Sequence, residues 1–184
     1  MNTSDSNDTL ELLRGLRQTR TYSSEPVDDA ALDAILEVAR WTGSGGNKQP
    51  WRLVVVRDIG TRRALAGAKA DTGWVADAPV VIGIVTAGKT AESARFDAGR
   101  LVERTMLAAE ASGLAAAVIG FGAADSEPAM TARRLLHVPD GMWITHAVVI
   151  GHPGPKPAES GSTRGGRKPM SEIRVEERFP NSAS

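Results

Sequence analysis

Residues 41–57 read Trp-Thr-Gly-Ser-Gly-Gly-Asn-Lys-Gln-Pro-Trp-Arg-Leu-Val-Val-Val-Arg. Gly43, Gly45 and Gly46 carry no Cβ, so backbone can come close to a ligand here. Ser44, Asn47 and Gln49 set hydroxyl and amide groups beside that bare backbone. Such a loop offers N–H, O–H and C=O groups to a flat heteroaromatic ring. Its plainer reading is a helix-to-strand turn whose Asn and Gln only cap backbone. A second candidate is Arg17-Gln18-Thr19-Arg20. Arginine grips phosphate in a planar fork, and a hydroxyl adds one more bond. The plainer reading there is a solvated basic helix end that complements its own dipole. A third is Ile119-Gly120-Phe121-Gly122, where an apolar run opens into a glycine turn. A fourth is the basic pair Arg167-Lys168 near the C-terminus.

Composition narrows the chemistry. The 184 residues fit one domain and suffice for a real core. Lys+Arg and Asp+Glu are 22 each, so the formal charge of zero gives no bulk attraction to nucleic acid or membrane. The absence of cysteine removes disulfides, thiolate metal sites and a Cys nucleophile. His137, His146 and His152 lack metal-ligand spacing, so no metal is expected. There is no G-x-S-x-G elbow, and the glycines at 43–46 precede a strand instead of opening a helix, which disfavours a Rossmann site. No apolar run approaches a membrane span. Residues 1–9 show neither a basic start nor an apolar core, so the expected location is the cytoplasm. No internal repeat is apparent.

These candidates need positioning elements. Residues 1–8 read as a tail, and a helix is expected from an N-cap at Thr9, with Leu12, Leu13 and Leu16 as its stripe. Asp28 or Asp29 caps a helix to about Thr42, packing through Leu32, Ile35, Leu36, Val38 and Ala39. Residues 52–57 read as a central strand, 61–70 as a weak helix and 79–86 as a second buried strand. Trp74 lies over a pocket or packs, with packing favoured. A long helix follows over 95–112 with Gly113 as its stop, then a third strand from Ala115. Ser126 caps a helix to Leu136, residues 143–151 form a fourth strand, 152–166 a loop, and 175–179 a terminal strand. Strands alternating with helices predict a layered α/β (α+β) domain.

Gly43-Ser44-Gly45-Gly46-Asn47-Lys48-Gln49-Pro50-Trp51 resembles the P-S-x-x-N-x-Q-P-W signature of the FMN-dependent nitroreductases. The resemblance extends over about residues 10–179. Arg17 to Tyr22 is similar to the family's R-x-S-x-R-x-F element, one residue short. Glu25-Pro26-Val27 and the helix after it, the strand ending at Gly120, and Arg167-Lys168-Pro169 also match. Gly43 departs from the family, which has proline there, and the stretch between the second strand and the long helix is short.

The resemblance implies a nitroreductase-like fold: a central mixed sheet of four to five strands flanked by helices, whose C-terminal strand can be exchanged with a partner subunit. Residues 9–184 would be one FMN-binding domain with a C-terminal dimer extension. It implies a homodimer with FMN at the interface, the long helix lying in that interface. Arg17, Thr19, Arg20 and Arg167, with Gln18 and Lys168, would serve the flavin phosphate. Gly43, Ser44, Gly45, Asn47 and Gln49 would meet the ring or ribityl chain, in the other subunit's site. Ile119, Gly120 and Phe121 would lie along the ring edge, one backbone N–H near N5. NADH or NADPH would donate hydride and a nitroaromatic, quinone or similar small acceptor would take it in ping-pong turnover, with no catalytic side chain. The alternative is a flavin-binding storage or sensor protein without turnover.

Overall fold

Residues 3–88, 90–155 and 166–179 are described by a computed structural model. Four strands form one sheet: β1 (Trp51–Val56), β2 (Val80–Ala87), β3 (Ala115–Gly120) and β4 (Met142–Gly151), in spatial order β1-β2-β4-β3. Every pairing is antiparallel. The α+β class is as expected, but the sheet of the single chain is antiparallel throughout and not mixed. The segments from β1 to β2 and from β3 to β4 reverse the chain, while α4 (Ala91–Ala111) carries it from β2 to β3 in the same sense, with β4 inserted between them. Residues 174–179 are exposed and in no strand of their own chain.

Because strand side chains alternate between faces, the sheet has two cores. On one face Val80, Ile82, Ile84, Ala116, Val148 and Ile150 pack against α2 (Asp29–Arg40) and α4 (Ala91–Ala111), through Leu32, Ile35, Ala98 and Leu101. On the other, Val81, Val85, Ile119, Ala147 and Val149 meet α3 (Ile59–Gly67) and α5 (Glu127–Leu135), through Leu65, Ala129 and Ala132. Both central strands, β2 and β4, are therefore apolar on both faces. The apolar run of β1 suggested a central strand as well, yet β1 is an edge. Its Arg52 and Val55, on opposite faces, are exposed, because each core covers only part of its face of this edge strand.

Helix ends follow local chemistry. The Asp28 carboxylate accepts from Ala31 N at 2.6 Å and starts α2; Asp58 accepts from Thr61 N at 2.7 Å and starts α3. Leu32, Ile35 and Ala39 are buried as expected, whereas Val38 is 43% exposed. Helix α1 covers Thr3–Gly15, so it starts six residues before the expected cap at Thr9 and takes in most of the expected tail. Ser126 precedes α5 but gives it no side-chain cap. Its hydroxyl instead donates to the carbonyls of Phe121 and Ala123, at 2.8 and 2.6 Å, and closes the turn after β3. A four-residue helix, α6 (Met170–Ile173), follows the expected 152–166 loop, most of which lies outside the described residues. No helix among the described residues is long and apolar enough to cross a membrane.

Candidate functional site

The exposed edge of β3 is the first half of the site. Phe121 N donates to Thr145 O at 2.9 Å, so residues 119 and 121 turn their polar groups toward β4. Ala116, Val118 and Gly120 turn theirs outward. The segment after α1 takes up two of these groups. Thr19 N donates to Ala116 O at 2.9 Å, and Val118 N donates to the Gln18 side-chain carbonyl at 3.4 Å. Lys69 Nζ donates to the Gly120 carbonyl at 3.0 Å. The Gly120 N–H faces the same edge. The side chains of Ile119 and Phe121 are buried in the α3/α5 core, so these two residues can offer only backbone to a ligand.

The basic pair of this segment is split. Arg17 folds back on its own helix end, its Nη1 donating to the carbonyls of Arg14 and Leu16 at 2.8 Å each. Arg20 instead lies over the face of Trp74, 5.3 Å from the ring centroid. Past the edge, Arg95 of α4 donates to the Gly122 carbonyl. His146, opposite Gly120 in the register, is half-buried with its Nδ1 3.0 Å from Thr145 Oγ1. Burial, and then the Arg95 charge, hold its imidazole below the ordinary value of 6.5, so it is neutral at pH 7.

The Gly43–Gln49 loop is the second half. Gly46, Asn47 and Gln49 have φ of 58°, 52° and 47°. Asparagine tolerates this left-handed region and glutamine does so less readily, and such conformations cluster at ligand-binding turns. The side chains mostly hold the loop itself. Ser44 Oγ accepts from Gln49 N at 2.8 Å, and Gln49 Nε2 donates to Asn47 Oδ1 at 3.1 Å. Ser44, not Asn47 or Gln49, caps the loop backbone, and Gly45 and Gly46 are exposed. Beside the loop, a groove of about 630 Å³ runs along α4, lined by Thr42, Arg95, Phe96, Arg100 and Arg104 among others. Thr42 Oγ1 is buried there without a hydrogen-bond partner.

Both halves thus flank one helix. Arg95 reaches Gly122, and Arg104 donates to Trp41 O at 2.8 Å just ahead of the loop. No hydrogen bond joins the loop to the β3 edge among the described residues. Among the described residues no hydrogen bond or ion pair joins Arg167 or Lys168 to either half. Both are exposed, and Lys168 pairs locally with Glu172 at 3.5 Å.

Known proteins carry the same framework. The profile of the Nitroreductase family matches residues 13–79. A nitroreductase-like protein of Desulfovibrio desulfuricans, solved in complex with FMN, is 31% identical, with a TM-score of 0.73 over 93% of this chain and 97% of that one. The chain belongs to the nitroreductase family. Over 66 residues it is also 47% identical to an NADH dehydrogenase of Thermus thermophilus, a stretch that covers 36% of this chain and 32% of that protein. An FMN reductase [NAD(P)H] of Bacillus subtilis is 24% identical over 174 residues, 83% of this chain and 69% of that one.

For this member of the nitroreductase family, the structure adds residues that the sequence did not single out. Lys69 and Arg95 carry no motif, and each meets its glycine carbonyl across a long sequence gap. Arg100 is another. A Cβ built on Gly43 would lie 2.7 Å from its Nη2, so arginine fills the space where the family has proline. Trp74 packs partly against the α3/α5 core and also carries Arg20.

Proposed function

We propose that this chain is an FMN-dependent oxidoreductase that takes electrons from NADH or NADPH and passes them to small electron-poor acceptors such as nitroaromatics or quinones. The observation that carries this reading is the open β3 edge. There, Gln18 takes the Val118 N–H, Lys69 holds the Gly120 carbonyl, and the Gly120 N–H faces outward. Its donor set fits FMN: a backbone N–H and amides for ring heteroatoms, arginines and a threonine for a phosphate. FMN, when bound, supplies the redox chemistry itself. Gly120 N–H would orient the ring edge, Lys69 would fix the Gly120 carbonyl, and Arg17 with Thr19 would hold the phosphate end. None of these needs to exchange a proton. The names of its relatives, an NADH dehydrogenase, an FMN reductase and a nitroreductase-like protein with FMN, support the donor, flavin and nitro-acceptor classes.

The active form in this reading is a homodimer. Among the described residues no hydrogen bond joins the Ser44–Gln49 loop or Arg167-Lys168 to the β3 edge of their own chain, so a second copy would supply them. Exposed apolar side chains on the C-terminal segment favour the same arrangement. Met170, Ile173, Val175 and Phe179 are 67, 59, 42 and 80% exposed, and the outer edge of β1 is open to another strand.

The test is anaerobic titration of the purified, FMN-loaded protein with NADH and with NADPH. Near-stoichiometric bleaching of the flavin band, with reoxidation by a quinone or nitroaromatic, is expected. Bound flavin that neither donor bleaches would leave a carrier or sensor. A protein that takes up no FMN would reject the reading entirely.

A further inference from the structure

His146 is a titratable side chain to which no role has yet fallen, and it lies at the open end of β3. It pairs with Gly120 across the sheet. A Cβ built on Gly120 would lie 3.6 Å from the imidazole Cδ2 and 3.7 Å from Nε2. The ring therefore sits on the side of Gly120 that a side chain would cover, and the glycine leaves it uncovered there. Nδ1 of the same ring is 3.0 Å from Thr145 Oγ1. Thr145 is 1% exposed, and this is the hydroxyl's one hydrogen bond among the described residues. Nε2 makes no hydrogen bond among the described residues. The buried polar side-chain atoms without a partner there are Thr42 Oγ1 and Trp143 Nε1, so Nε2 is open to solvent.

These contacts fix the tautomer. In a neutral imidazole one nitrogen carries the proton and the other accepts. If Nδ1 carried it, Thr145 would have to accept, and its own buried hydroxyl proton would find no acceptor, which is costly in a dry site. With Nδ1 as the acceptor the hydroxyl is satisfied, and the proton resides on Nε2. Burial first, and the Arg95 charge second, keep the ring neutral at pH 7. The result is an N–H donor, held from behind by a buried hydroxyl, beside the backbone of Gly120.

We propose that His146 is a catalytic residue of the oxidative half-reaction, its Nε2–H donating a hydrogen bond to the acceptor oxygen on which negative charge collects, and that Thr145 is the positioning residue that keeps the proton on Nε2. The proposal rests on the FMN reading above and goes beyond it by giving the acceptor a side-chain partner. For a quinone the balance closes as follows. The quinone is reduced by a hydride, two electrons and one proton, from the reduced cofactor, and the hydroquinone anion takes its second proton from water. His146 keeps its own proton throughout and stabilises the charged oxygen until water protonates it. A hydrogen bond to a charging oxygen is stronger than one to a neutral carbonyl, so the contact speeds the step more than it tightens binding.

The experiment separates the two half-reactions by anaerobic stopped flow, with FMN-loaded wild type, His146→Leu, His146→Gln and Thr145→Val. Bleaching by NADH or NADPH gives the reductive rate, and reoxidation by p-benzoquinone gives the oxidative rate. His146→Leu should lower the oxidative rate about tenfold relative to the reductive rate, the loss of one hydrogen bond to a charged oxygen. His146→Gln sets an amide N–H where Nε2–H stood and should recover most of that loss. Thr145→Val keeps the shape and removes the hydroxyl. It should lower the ratio about two- to threefold, because the proton then divides between both nitrogens. A fall of both rates by the same factor would make His146 a support of the cofactor site and no more. An unchanged ratio in His146→Leu would leave the acceptor oxygen to water. Either result overturns the proposal and leaves the FMN reading standing. A wild-type protein that takes up no FMN, or whose flavin neither donor bleaches, overturns both. If His146→Leu does not fold, the ratio in Thr145→Val decides, and an unchanged ratio there overturns the proposal.

Discussion

Lys69 Nζ and the Gly120 carbonyl are joined across 51 residues of sequence, at 3.0 Å. This bond ties the chain after α3 to the last residue of β3, whose N–H faces the candidate cofactor edge. Lys69→Met keeps the apolar stem and removes the donor. It should weaken FMN binding by about 1 kcal/mol, the range for one partly screened charged hydrogen bond. Equilibrium dialysis or fluorescence titration of FMN would show it. An unchanged dissociation constant would mean that the Gly120 peptide holds its place unaided.

The phosphate assignment makes a sharper demand. Arg17→Ala or Arg167→Ala should each lower FMN affinity by about 1.5–3 kcal/mol if each makes a charged bond to phosphate. Unchanged affinity in both variants would reject the assignment. Arg17 must also leave the carbonyls of Arg14 and Leu16 to reach the phosphate.

The exposed apolar residues of the C-terminal segment lead to a prediction about assembly. A chain ending at Pro155 should lose the dimer expected for the full chain and most of its FMN with it. Light scattering coupled to gel filtration would report both mass and bound flavin. A truncated protein that is still dimeric and yellow would show that the segment belongs to neither function.

His146 predicts a pH dependence of stability. Its folded value lies below the ordinary 6.5 through burial first and Arg95 second. Above 6.5 both folded and unfolded chains leave it neutral, and it contributes nothing. As pH falls through 6.5 the unfolded chain gains a proton that the folded chain refuses, so stability drops until the folded value is passed. His146→Gln should flatten the urea midpoint across that window, directly below pH 6.5. A profile as steep as wild type would assign the slope to other groups.

The turn after β3 should be sensitive to substitution. Gly122 has φ of +87°, and a Cβ there would lie 3.1 Å from Ser126 Oγ. Gly122→Ala should cost about 1–2 kcal/mol in chemical denaturation. It should also disturb Ser126, whose hydroxyl closes the same turn. A neutral effect would show that the turn can relax.

The local features were legible in the sequence because their causes are local. Asp28 caps α2 through a carboxylate three residues from its donor, and the Gly113 stop of α4 is a left-handed glycine. The loop at 43–49 and the strands around it were legible for the same reason, as was the family itself from Ser44 to Trp51. Other features depend on which distant elements meet. An apolar run like β1 does not say whether it lies at the centre or the edge of a sheet, since that depends on its neighbours. The all-antiparallel order, the outward N–H of Gly120, and the contacts of Lys69 with Gly120, Arg100 with Gly43 and Arg20 with Trp74 arise only once the chain has folded. Residue type and spacing thus named the chemistry this protein can attempt. Packing across long sequence separations, where no periodicity leaves a trace, decided which charges and which peptide groups share one edge.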